Sequence, residues 1–75
     1  MENPIYTYNR PKARYRIEIY IDTKMDPDGW FMDIQYIEKK TGKIAHAHCV
    51  IKKDLDSWIR SLESEGWILE NKQNI

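Results

Sequence analysis

Tyr15, Ile17, Ile19 and Ile21 alternate with Arg14, Arg16, Glu18, Tyr20 and Asp22. A period of two over nine residues is the mark of a half-buried strand. Residues 30–38 and 44–51 carry two further strand-like runs, and Lys39-Lys40-Thr41-Gly42 between them has the length and the glycine of a hairpin loop. The period changes after residue 51. Leu55, Trp58, Ile59 and Leu62 fall at i, i+3, i+4 and i+7, whereas Asp56, Ser57, Arg60, Ser61, Glu63 and Ser64 fill the other side, so the spacing predicts an amphipathic helix. Asp54 and Asp56 place negative charge near its first amides, and Gly66 can take the left-handed conformation that ends it. With Gly66 just past the helix, Leu62 and Trp67 occupy the two positions that touch in a Schellman motif. Trp67-Ile68-Leu69-Glu70 then reads as a short strand on a sheet edge.

The hairpin loop also sets an expected register. A four-residue loop pairs Glu38 with Lys43, and from there Trp30, Met32, Ile34 and Tyr36 share a face with Ala45, Ala47, Cys49 and Ile51. The alternative slip by one residue would mix those large side chains with His46 and His48. The first register supplies a floor of small residues for the helix. The expected fold is therefore α+β and two-layered: an antiparallel sheet of three to four strands with one helix on one face, in the order β-β-β-α-β. Residues 14–70 form its single domain. Residues 1–13, with Pro4 and Pro11, read as an extended N-terminal arm, and residues 71–75 as a polar tail.

The face away from the helix is then expected to present Arg14, Arg16, Glu18 and Tyr20 from the first strand, Phe31, Asp33, Gln35 and Ile37 from the second, and Ile44, His46, His48 and Val50 from the third. Four of these are large and apolar, which suits a face that something covers.

Length and charge narrow the setting. A domain of 75 residues buries only about 60% of the surface its unfolded chain exposes, so a second chain would strengthen its core. The formal charge is zero, which removes the simplest electrostatic case for nucleic acid or an anionic membrane. It is unevenly placed: Arg10, Lys12, Arg14 and Arg16 cluster without an acid, and Asp54, Asp56, Glu63 and Glu65 face Arg60 alone. Cys49 is the one cysteine, and neither a long apolar run nor a basic leader before an apolar stretch occurs. A cytoplasmic protein without a membrane segment is expected.

The candidate chemistry is thin. His46 and His48, two apart on a strand, project to one side and could share a metal ion with Asp33, but a zinc site needs three or four ligands and Asp33 is the one further candidate visible. The expected role of the two histidines is that of polar strand residues. Asp22 to Gly29 is rich in aspartate but lacks the spacing and terminal glutamate of a calcium loop, so no metal is expected. A nucleophilic Cys49 would need a base within reach, and on this register His46 and His48 point away from it. Cys49 is expected to be a small buried residue. No nucleophile elbow, phosphate loop, dinucleotide fingerprint or zinc-protease motif occurs, so neither an enzyme nor a cofactor is expected.

Two functional readings follow. In the first, the chain is a small protein-binding and regulatory module, of the inhibitory kind found in phages and mobile elements, that dimerises and acts through its open sheet face. The residues are Arg14, Arg16, Glu18, Tyr20, Phe31, Asp33, Gln35, Ile37, His46 and His48. In the second, it binds single-stranded nucleic acid, with Tyr6, Tyr8, Tyr20 and Phe31 as stacking platforms beside Arg10, Lys12, Arg14 and Arg16.

Overall fold

A computed structural model of the chain describes residues 3–21 and 31–72. The expected turn at 22–29, Trp30 and the last three residues of the expected tail lie outside the described residues. Among the described residues five strands and one helix follow in order: β1 (Tyr6–Asn9), β2 (Tyr15–Ile21), β3 (Phe31–Glu38), β4 (Ile44–Ile51), α1 (Leu55–Ser64) and β5 (Ile68–Lys72). A short 3₁₀ turn, Lys52–Asp54, leads into the helix. All strands pair antiparallel in one sheet of order β4-β3-β2-β1-β5. The fold is the expected α+β two-layer type, with five strands in place of three or four.

The additional strand is the segment expected to be an arm. Tyr6, Thr7 and Tyr8 pair with Ile19, Glu18 and Ile17 of β2, and β1 is flanked by β5 on its other side. Pro11 explains the return of the chain. It sits at the second position of the turn Arg10–Ala13, where its fixed φ is suitable, and the Ala13 N–H donates to the Arg10 carbonyl at 2.8 Å. Tyr8, only 2% exposed, is one of the largest buried side chains in the protein. An arm is thereby replaced by an interior strand that supplies core.

The register between β3 and β4 departs from the expected one in an instructive way. The hairpin begins as predicted: the Glu38 N–H donates to the Lys43 carbonyl at 2.9 Å, the Gly42 N–H to the Glu38 carbonyl at 2.8 Å, and Gly42 takes φ +74°. Ile37 then pairs with Ile44, but Tyr36 pairs with His46. Ala45 is the extra residue of a β-bulge. Because side chains alternate, that single insertion turns over everything beyond it. Ile34 lies opposite His48 and Met32 opposite Val50, whereas Asp33 lies opposite Cys49 rather than His48. His46, His48 and Val50 therefore stand on the helix side of the sheet, and Ala47, Cys49 and Ile51 on the open side. The alanine floor expected beneath the helix is absent, and Cys49 is exposed, not buried.

The helix side holds the core. Ile17, Ile19 and Ile34 are fully buried, joined by Tyr8, Ile5, Met32, Leu55 and Leu62, with Trp58, Ile59, Trp67, Tyr36 and Val50 packed at the margin. The apolar stripe on α1 is thus the one its spacing predicts. Its end is also as expected: Gly66 has φ +96°, the Trp67 N–H donates to the Leu62 carbonyl at 3.1 Å, and the Gly66 N–H donates to the Glu63 carbonyl at 3.1 Å. These are the paired bonds of a Schellman motif. The helix must carry the chain from one edge strand to the other, a width of about 19 Å for four strand spacings. Ten residues of helix give about 15 Å, and the turns at either end supply the rest. Ile51, opposite Phe31, and Ile68, opposite Asn9, lie at opposite ends of the sheet, so α1 crosses it diagonally.

Candidate interaction surface

One face of the sheet is left without a second layer among the described residues. Parity places on it Thr7 and Asn9 from β1, Arg16, Glu18 and Tyr20 from β2, Phe31, Asp33, Gln35 and Ile37 from β3, and Ile44, Ala47, Cys49 and Ile51 from β4. Ile68 of β5 joins them opposite Asn9.

The centre of this face is polar and internally bonded. Along β2, Arg16 Nε donates to Glu18 Oε2 at 2.8 Å and the Tyr20 hydroxyl donates to Glu18 Oε1. Side chains two apart on a strand lie side by side, so the sequence Arg-x-Glu-x-Tyr lays a cation, a carboxylate and a phenol in a row. On β3, Gln35 Nε2 donates to Asp33 Oδ2 at 3.1 Å. Around this centre runs an apolar border. Phe31 is 44% exposed and its partner Ile51 38%, while Ile44 and Ile68 are each 57% exposed. Ile37 lies between them and is 5% exposed.

The Tyr20 phenol is pushed up to about 12, by burial first and then by its bond to Glu18 and the charge of that carboxylate. A raised value means that the folded protein holds this proton more tightly than the unfolded chain, whose tyrosines ionise near 10. The stability linked to Tyr20 is accordingly complete below pH 10 and drains away as pH rises towards 12. Urea denaturation through this range should show the native chain losing stability more steeply than Tyr20→Phe. Parallel slopes would contradict the assignment.

The residues expected on one surface are divided between two. Arg16, Glu18, Tyr20, Phe31, Asp33, Gln35 and Ile37 stand together on the open face as expected. His46 and His48 do not. Their ring centres are 5.5 Å apart on the helix side, each near Tyr36, and His48 and Trp58 form a T-shaped pair with ring centres 5.9 Å apart. Burial and the nearby Glu65 raise the pKa of Tyr36 in this cluster. Among the described residues no group of three histidine, cysteine, aspartate or glutamate side chains is placed to hold a metal ion.

The basic and aromatic set is divided as well. Tyr6 and Tyr8 face the helix, on the opposite side of the sheet from Tyr20 and Phe31. Arg14 is engaged by Glu38 at 2.9 Å. Arg10 reaches to the end of the helix, where its Nε is the nearest atom to where a side chain at Gly66 would begin. A cation there complements the negative end of the helix dipole. Lys12 is exposed in the turn between β1 and β2.

Ala47, Cys49, Ile51 and Ile68 are open-face residues that the alternation of apolar and polar positions does not reveal. Neither a glycine nor a proline marks the bulge at Ala45, so its only available signal was the crowding of histidines and small residues in β4. Among the described residues no helix is long and apolar enough to cross a membrane. Compared with protein-family models, curated proteins and solved structures, the chain matches none.

Proposed function

We propose that this chain is a non-enzymatic, regulatory protein-binding module that self-associates and contacts its partner through the open face of the sheet. The observation that carries this reading is the apolar border of Phe31, Ile51, Ile44 and Ile68 around the bonded centre of Arg16, Glu18 and Tyr20. Apolar anchors with oriented polar groups are what a protein partner can use, and exposed aromatic residues commonly supply the energy of such contacts. An inhibitory role, occluding a partner's surface, fits a face of apolar anchors around oriented polar groups.

Retention of proteins from an extract of the native host tests the reading. The tagged native chain should retain a protein that Phe31→Asp does not, with the variant's melting curve confirming that it is folded. Equal retention by both would remove the open face as the contact. Single-stranded oligonucleotide binding that falls steeply with salt and is lost in Arg16→Ala would replace the protein partner with nucleic acid.

A further inference from the structure

The two edges of the sheet are unlike. β5 carries Glu70 and Lys72 and is itself bulged against β1, since Thr7 pairs with Asn71 but Tyr8 with Leu69. Charges and bulges are the devices that keep an edge strand from pairing with another chain. β4, at the other edge, is eight residues long, Ile-Ala-His-Ala-His-Cys-Val-Ile, and contains no Asp, Glu, Lys, Arg, Pro or Gly. Its one irregularity, at Ala45, lies near its start and leaves a regular run from His46 to Ile51. The backbone groups on its outer side have no strand beside them among the described residues.

We infer that β4 is the seam of a homodimer, pairing antiparallel with β4 of a second copy to make one sheet of ten strands, twice the five of a single copy. This rests on the reading that the chain self-associates, and names where. Charge argues for a second copy in particular. A strand brought against itself places like charges opposite one another wherever it carries them, which is destabilising, and β4 carries none.

The two-fold axis that joins such edges stands normal to the sheet. It keeps both helices on one side and both open faces on the other, and it matches only residues that share a face. With the axis at His48, Ala47 of one copy faces Cys49 of the second. With the axis at Cys49, the two cysteines face each other. In either case the cysteines of the two copies come within about 8 Å. The partner surface then becomes continuous across the seam, with the exposed Ile51 of both copies contributing.

The ends of β4 add a distinguishing property. Lys43 precedes it and Lys52 and Lys53 follow it. With the axis near His48, antiparallel pairing brings the lysine that precedes β4 in one copy towards the lysines that follow it in the other, so the dimer should tighten as salt screens that repulsion.

Sedimentation equilibrium at about 10–300 µM, concentrations that resolve micromolar association, provides the test. The native chain should move from 9.1 kDa towards twice that mass, more readily at high salt. Cys49→Lys places a lysine from each copy at the seam and should weaken association at least about tenfold, the scale of one such charge conflict, while Cys49→Ser should not. A short bismaleimide should link two native chains through Cys49, which needs no variant to fold. A monomer throughout would overturn both the self-association and the seam. A dimer that Cys49→Lys leaves unchanged, or that the cross-linker does not capture, would overturn the seam alone. Phe31→Asp, one strand in from the edge, should leave the dimer intact even as it loses the protein partner.

Discussion

Tyr8→Ala is expected to cost about 3–5 kcal/mol, the usual range for removing a buried aromatic side chain. Tyr8 is 2% exposed, packed on the helix side against the cluster of Ile17, Ile19, Leu55 and Leu62. Its pKa is raised, first by burial and then by the nearby Glu63 and Tyr6. Domains of this length have a total stability of roughly 4–11 kcal/mol, so the variant should lose about a quarter or more of its stability. The size of the effect separates two views of the N-terminus. On a solvent-exposed arm the same substitution would fall within about 0.5 kcal/mol of neutral. Urea denaturation of the two proteins measures the difference directly, and a small shift would mean that β1 does not belong to the sheet.

The parts of the fold that were legible in the sequence are those where a local signal and the tertiary structure agree. The stripe of Leu55, Trp58, Ile59 and Leu62 predicts its own burial, and Gly66 followed by Trp67 predicts the Schellman ending, because each is decided within one helix length. The alternation in β2 likewise fixes which of its residues face the core. Ile5, Tyr6 and Tyr8 were harder to interpret. A four-residue strand offers too short a window for periodicity, and Pro11 signals a turn equally well in an arm or a hairpin. Alternating Tyr-Thr-Tyr before a proline turn was the cue, since those residues favour strands.

The bulge at Ala45 was not legible for a different reason. Nothing within the hairpin demands it: the loop closes with Glu38 against Lys43 whether or not an extra residue follows. What decides the matter is the helix above β4. Trp58 and His48 form a T-shaped pair and the core margin takes in Val50, so larger residues fill space beneath α1 that Ala47 and Cys49 would leave vacant. That is a choice between two packings of distant segments, and a pattern read along one strand does not contain it. The candidate surface depends on this choice. Without the bulge the open face would show imidazoles and Val50. With it, the face gains Ala47, Cys49 and Ile51 beside Phe31, and β4 becomes an uncharged border beside the polar centre.

Modification of Cys49 by a small thiol reagent in the folded protein tests that central point. Its side chain is on the open face and exposed, so native Cys49 should react at a rate of the same order as in denaturant. A cysteine beneath α1 would react only through opening of the fold, on the order of a thousandfold more slowly for a domain of ordinary stability. Rapid labelling with the native circular dichroism spectrum retained is the predicted result. Protection of Cys49 until the protein unfolds would contradict the bulged register and the interaction surface built on it.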